Sequence, residues 1–339
     1  MKHLLSLAVD HPIFSRFVWL LERAGPGQTN SLRILTYHRI IEPAHQPVLY
    51  PRIAVAPQVF ERQMRHLAAN YRVLALPELF ELVTRSGPVN LPPRSVLITF
   101  DDAYHDFADY AWPILKQYRL PATLFVPTAF PDQPERIFWW DWLYFAIIST
   151  PCQAALETSL GWLQLATPAQ REQTFSQCRS YVKLLPHHEA MPWVEQLCRK
   201  LDVPRPVDNQ VLSWDSLRQL AGEGVTLGAH TRTHPLLNRV SPDEAETEAV
   251  GSLRDLEREI GPSLPIFAYP SGGVSEAVVQ RLAQAGFTLA FTTAPGINVW
   301  PAADLLRLRR INVNRRASLG VFQTKLLAWP TALPRLAGV

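Results

Sequence analysis

Seven short runs of apolar and β-branched residues, near 33–38, 95–100, 122–126, 224–229, 265–269, 288–293 and 309–313, alternate along the chain with helical patterns at 57–69, 104–118, 213–222, 243–260 and 275–285. Ser95-Val96-Leu97-Ile98-Thr99-Phe100 is representative: it is apolar on both faces, as a buried parallel strand must be. Strands that alternate with helices form parallel sheets, and this number of them predicts an α/β fold, a (β/α) barrel of about seven strands. In such folds chemistry gathers in the loops after the C-terminal strand ends, so the residues following each run are the candidates for function.

Two of those strand ends carry metal-binding groups. Thr99-Phe100 leads into Asp101-Asp102, and Val225-Thr226-Leu227-Gly228-Ala229 delivers His230, with His234 four residues on. A carboxylate and two imidazoles with one open position is the usual ligand set of a hydrolytic Zn²⁺ site. Each segment alone has a plainer reading: adjacent aspartates cap helices through free N–H groups, and histidines four apart can share a solvated helix face. Their common placement after apolar strands favours the metal.

These residues resemble the motifs of the polysaccharide deacetylase family, carbohydrate esterase family 4, whose members remove N- or O-acetyl groups from sugars and whose fold is a distorted (β/α) barrel. Thr-Phe-Asp-Asp matches Thr99 to Asp102, and His-Ser/Thr-x-x-His matches His230 to His234. The resemblance spans roughly residues 31–130 and 211–316. It implies that Asp101 is the catalytic base and that Asp102, His230 and His234 hold a divalent metal, zinc first, with Co²⁺ or Ni²⁺ as substitutes. The third motif departs from the pattern: where the family has Arg-x-Pro-Tyr-Gly, this chain reads Ala268-Tyr269-Pro270-Ser271-Gly272-Gly273. Ser271 is then the expected backbone donor to the oxyanion. Arg310, in Leu308-Arg309-Arg310-Ile311-Asn312-Val313, is the candidate to orient the base in place of the missing Arg, with a structural ion pair as its alternative role. No histidine follows His234, so the late general acid of the usual family order is absent. The run Arg33-Ile34-Leu35-Thr36-Tyr37-His38 resembles the opening of the exported poly-N-acetylglucosamine deacetylases, whose barrel order is circularly permuted. That resemblance places the acid on His38, whose alternative is to cap its strand. The implied mechanism has the metal polarise the acetyl carbonyl and acidify water, Asp101 take the water's proton, and His38 protonate the leaving amine or hydroxyl.

Composition narrows the partners. A formal charge of +3 over 339 residues argues against nucleic acid. Three widely spaced cysteines, Cys152, Cys178 and Cys198, form no disulfide framework, which favours a reducing compartment. Residues 1–30 read as an amphipathic helix: apolar stretches broken by Asp10-His11-Pro12 are too short to span a membrane, and no small-residue cleavage site follows. A cytoplasmic protein is expected, with this helix docked on the barrel or touching a membrane surface through residues 1–24. Residues 131–210 read as a helical insertion into a barrel domain of 31–316, and 317–339 as a final helix and tail. Within the insertion, Phe138-Trp139-Trp140-Asp141-Trp142 admits two readings, plain packing or a sugar platform on which Trp140 stacks and Asp141 accepts hydroxyl hydrogen bonds. Together with Tyr269 these are the candidate substrate contacts. The expected function is metal-dependent deacetylation of an N-acetylated polysaccharide, oligosaccharide or lipid-linked sugar in surface or exopolysaccharide biosynthesis. The altered third motif keeps a catalytically impaired glycan-binding protein as the alternative. Adjacency of Asp101 and Asp102 argues against a glycoside hydrolase, whose paired acids flank the scissile bond several ångströms apart.

Overall fold

The computed structural model describes residues 30–42, 50–152, 155–206 and 211–327. In chain order its main elements are β1 (Ser31–Tyr37), α1 (Pro57–Asn70), α2 (Leu76–Thr84), β2 (Ser95–Phe100), α3 (Trp112–Gln117), β3 (Thr123–Val126), α4 (Trp139–Ser149), α5 (Pro168–Val182), α6 (His187–Lys200), α7 (Trp214–Gly222), β4 (Thr226–Ala229), α8 (Pro242–Ile260), β5 (Ile266–Ala268), α9 (Glu276–Gln284), β6 (Leu289–Pro295), β7 (Leu308–Asn312) and α10 (Leu319–Leu326). The seven expected strands are all present and close in parallel as β1-β7-β6-β5-β4-β3-β2-β1, a distorted (β/α) barrel. Its seams are uneven. β1 and β2 pair from Leu32↔Ser95 to Tyr37↔Phe100, whereas β4 and β5 meet only at Phe267↔Ala229. Short strands extend the ring at Arg72–Val73, beside the start of β2, and at Asn298–Val299, antiparallel to the start of β1.

Strand alternation decides which residues meet inside. Leu32 and Ile34 of β1, Leu97 of β2, Phe125 of β3, Ile266 of β5, Leu289 and Phe291 of β6 and Leu308 of β7 form one buried cluster, the barrel interior. Their neighbours Leu35, Tyr37, Val96, Ile98, Phe100, Leu124, Leu227 and Phe267 belong to a larger cluster shared with the surrounding helices. Stepping two residues along each inward file leads to His38, Asp101, His230 and Arg310 at the C-terminal mouth. The same parity puts Tyr269, two residues after the outward-facing Phe267, on the helix side. At the other end α2 packs Leu76 and Leu79 against the interior cluster.

The helical patterns at 57–69, 213–222, 243–260 and 275–285 appear as α1, α7, α8 and α9. The one at 104–118 is realised as a π-helical turn, Phe107–Ala111, running into α3. Pro113 has no N–H for the Asp109 carbonyl and its ring would crowd it, so the chain widens there. The insertion carries α4, α5 and α6, and also a hairpin, Leu156–Thr158 with Gly161–Leu163, whose three-residue strands are too short to show a period. α10 is the expected final helix. The expected helix within 1–30, apart from Asn30, and the tail from residue 328 lie outside the described residues. Among the described residues no helix is long and apolar enough to cross a membrane.

Gly228, two residues before His230, has no room for a side chain: a Cβ would stand 2.6 Å from the Phe125 ring and 3.0 Å from Ile266. Gly228→Ala is expected to destabilise the protein by about 1–3 kcal/mol through overpacking, read as a lowered urea midpoint. An unchanged midpoint would show that Phe125 moves aside freely.

Candidate metal centre and active-site cleft

Asp101 ends the inward file of β2, its N–H bonded to the Tyr37 carbonyl at 3.0 Å. Asp102 and Ala103 then take left-handed backbone, φ 73° and 51°. That break in alternation turns the second carboxylate into the same cavity instead of outward like Phe100. On the facing side His230 follows β4, and His234 comes from an irregular loop in which Thr231 and His234 are also left-handed, φ 65° and 61°. Thr231 Oγ1 accepts the His234 N–H at 3.0 Å and donates to the His230 carbonyl. Both imidazoles are buried, 1% and 5% exposed, so this pair is not a solvated helix face.

Asp102 Oδ1 lies 3.4 Å from His230 Nε2 and 3.2 Å from His234 Nε2. Yet among the described residues it has no aligned hydrogen-bond partner, and neither has His234 Nδ1. His230 Nδ1–H donates to the Ala268 carbonyl at 2.7 Å, which leaves the Nε2 lone pair to coordinate. Ligand atoms roughly 3.3 Å apart are what tetrahedral bonds of about 2.0–2.1 Å to one ion produce. The donor set therefore fits a divalent metal, all three ligand atoms lying within 4.8 Å of one another. Burial would raise the Asp102 carboxyl, but the two imidazoles beside it hold it well below the usual carboxylate range. Burial pushes His234 down, keeping it neutral; at His230 the carboxylates outweigh burial and push it up. A bound cation would displace that proton.

Beside these ligands Arg310 grips Asp101 with both arms of its guanidinium, Nη1 to Oδ1 at 2.8 Å and Nη2 to Oδ2 at 2.7 Å. Its Nε donates to the Thr292 carbonyl at 2.7 Å. Burial would raise Asp101; Arg310 and then His230 outweigh it and hold the carboxyl below its ordinary value, ionised at neutral pH. His38 lines the cavity, with its Nδ1 buried and unpartnered among the described residues. Ser271 lines it too, in left-handed backbone (φ 51°, ψ 15°), and its Oγ accepts from Lys183 Nζ at 3.1 Å. Gly272 follows at φ 72°, where a Cβ would collide with Thr293.

The three expected substrate contacts divide. Trp140 lines the cavity, and it is also packed: its ring stacks on Phe138 at 4.5 Å, meets His234 edge-on at 4.9 Å, and its Nε1–H donates to Tyr104 Oη at 3.1 Å. Asp141 is not a hydroxyl acceptor in the cleft. It is fully buried, accepting the Tyr50 N–H at 2.8 Å and the Tyr104 O–H at 2.7 Å, and burial pushes its carboxyl up to about 6. Tyr269 is corrected likewise: it points outward, packs on Phe267, and donates its O–H to the Leu306 carbonyl at 3.0 Å.

Sequence reasoning missed Arg179 and Lys183, which the insertion brings to the cavity from the end of α5. Burial and the neighbouring Arg179 push Lys183 down to about 8. It also missed the clamps on the histidine loop. Glu248 accepts the N–H groups of Arg232 and Thr233, and Asp255 pairs with Arg232 at 2.8 and 2.9 Å. The spacing of seven puts both acids on one face of α8, a signal legible in sequence.

The family model for polysaccharide deacetylase matches residues 89–290. The chain belongs to the polysaccharide deacetylase family. The matched span holds both metal-ligand segments and the Ala268–Gly273 turn, while His38 and Arg310 lie outside it. Hydrolysis of acetylated carbohydrate is the reaction that membership implies. The chain is similar to the Bacillus subtilis protein YxkH, named as a candidate polysaccharide deacetylase, with 22% identity over 263 residues covering 75% of this chain and 67% of that one. It is 32% identical over 111 residues to the poly-beta-1,6-N-acetyl-D-glucosamine N-deacetylase of Staphylococcus epidermidis, covering 30% of this chain and 37% of that protein. In fold it is similar to the Streptococcus pyogenes deacetylase PplD, solved in complex with acetate, with a TM-score of 0.57 and 22% identity over 87% of this chain and 98% of that one.

The two aspartates should separate by metal content. After zinc loading and dialysis, Asp102→Asn is expected to lose the ion and Asp101→Asn to keep it; equal loss in both would end the division of labour between them.

Proposed function

We propose that this chain is a metal-dependent hydrolase that removes acetyl groups from an N-acetylated polysaccharide, oligosaccharide or lipid-linked sugar, in the assembly of surface or exopolysaccharide. The observation that carries this reading is the forked Arg310–Asp101 pair beside Asp102, His230 and His234 in one cavity of about 200 Å³. A carboxylate held ionised and oriented next to a cation site is suited to deprotonate water. When bound by Asp102, His230 and His234, a divalent ion, zinc first, supplies Lewis-acid polarisation of an acetyl carbonyl. Asp101, fixed by Arg310, takes the proton of the attacking water. The Ser271 backbone N–H serves the developing oxyanion. His38, on the same cavity, returns a proton to the leaving amine. Trp140 offers an apolar wall to a sugar face.

The N-deacetylase named among the relatives supports an amide substrate, N-acetylglucosamine units in particular. The impaired, glycan-binding alternative drew on the altered third motif and the missing late histidine; the Arg310 fork on Asp101 supports the catalytic reading over it. A cytoplasmic location with membrane-surface contact through residues 1–24 belongs to the same proposal. Cell fractionation after deleting those residues tests it, and unchanged membrane association would dismiss the anchor.

Acetate release from N-acetylglucosamine oligomers tests the activity. Chelation should abolish it, and Zn²⁺, Co²⁺ or Ni²⁺ should restore it; no acetate with any of the three would overturn the proposal. His38→Ala should lower kcat by roughly 10²-fold or more, the usual worth of a general acid, and near wild-type turnover would remove His38 from that role.

A further inference from the structure

A second cavity, of about 270 Å³, adjoins the catalytic one, and the two share Tyr50, Ile53, Arg179 and Asn312. Arg52, Arg315 and Arg316 complete a lining that holds four guanidinium groups. They come from three separate places: the turn Pro51–Ile53, the end of α5, and the loop after β7. This convergence is tertiary and corresponds to no basic run in the chain.

The charge is thinly answered by protein. Arg52 Nη2 reaches Glu172 at 3.3 Å, and that carboxylate also accepts the Tyr144 O–H at 3.0 Å. Among the described residues Arg179, Arg315 and Arg316 enter no ion pair; Arg179 lies over the Tyr50 ring at 5.5 Å. The Nε atoms of Arg52 and Arg179 are both buried without a hydrogen-bond partner among the described residues. A cavity lined by four arginines, only one of which has a carboxylate partner among the described residues, fits a ligand bearing several anionic oxygens.

We propose that this cavity binds a phosphate or diphosphate attached to the acetylated sugar, so that the substrate is a charged sugar conjugate; this rests on the deacetylase reading above. Guanidinium forks match phosphate oxygens two at a time. Three guanidinium groups without a carboxylate partner among the described residues, beside an Arg52 shared with Glu172, also balance a diphosphate better than the single charge of a uronate. The side-chain amides of Asn312 and Asn314, in the same lining, add neutral donors. Because Arg179 and Asn312 line both cavities, the phosphate would sit beside the sugar whose acetyl group faces Asp101. A nucleoside and a lipid are the two sources of such a diphosphate.

Calorimetric titration of inorganic pyrophosphate into the zinc-loaded full chain tests the site without needing turnover. Binding should weaken with added salt, and by tenfold or more in the double variant Arg315→Gln/Arg316→Gln, whose exposed side chains leave the urea midpoint in place. Arg179→Gln gives an independent second reading of the same loss. In acetate-release assays, the kcat/KM ratio of diphosphate-linked over neutral N-acetylglucosamine should fall at least tenfold in the double variant. A fall for the nucleoside-linked sugar identifies that source, and one for the polyprenyl-linked sugar the lipid. Three results would each overturn the site: no pyrophosphate binding at low salt, glucuronate binding as tightly, or binding lost in Asp102→Asn but kept in the arginine variants, which assigns the anion to the metal. Arginine-dependent binding with no acetate from any substrate would uphold this site and sink the deacetylase reading; acetate release with arginine-independent binding would do the reverse.

Discussion

The ion pair between Arg310 and Asp101 is the interaction on which the barrel mouth depends. Burying two charges costs several kcal/mol of lost hydration per ion, and such a pair persists only when geometry and further hydrogen bonds offset that loss. Here they do: Nη1 and Nη2 fork onto the carboxylate, Nη1 lies 3.4 Å from Thr99 Oγ1, and Nε donates to Thr292. The side chain thereby links β7, β6 and β2 across the interior. Removing either partner would strand a buried charge, at about 3–5 kcal/mol. The bond that orients Asp101 thus also ties the three strands together.

Around this pair the backbone departs from regular structure where the site needs it. Among the described residues, five of the ten left-handed non-glycine residues are Asp102, Ala103, Thr231, His234 and Ser271, all in the segments that build the cleft. Such conformations cost on the order of 1 kcal/mol or more each and persist only where their surroundings over-determine them. Glu248 and Asp255 do this for the histidine loop. A buried layer does it for the aromatic wall. Asp141 holds Tyr104, Tyr104 accepts the Trp140 indole N–H, and Arg39 stacks on the Tyr104 ring at 4.7 Å while pairing with Asp106.

How much could be read in advance depended on the range of the interaction concerned. Strand identity is local, so the apolar runs announced all seven strands and, through their period of two, the inward files that end at His38, Asp101, His230 and Arg310. The same period, applied from Phe267, would have turned Tyr269 outward. Asp141 misled for a different reason. A polar residue within an aromatic run looks like a sugar contact until Tyr50 and Tyr104, from distant segments, are seen to use both its oxygens.

By itself the sequence determined the barrel strands and the candidate ligand set Asp102, His230 and His234, and it offered Arg310 as a candidate partner for Asp101, because each is written as a residue type at a strand end. Only the tertiary structure decided the turn of Asp102 into the cavity, the clamping of the His230–His234 loop, and the arrival of Arg179 and Lys183 from the insertion beside Arg52, Arg315 and Arg316. The arrival of the insertion's cations rests on contacts between segments more than a hundred residues apart, and the other two on left-handed backbone and on loop-to-helix contacts 16 and 23 residues away; in each case the partner is set by how the chain closes, not by a local pattern.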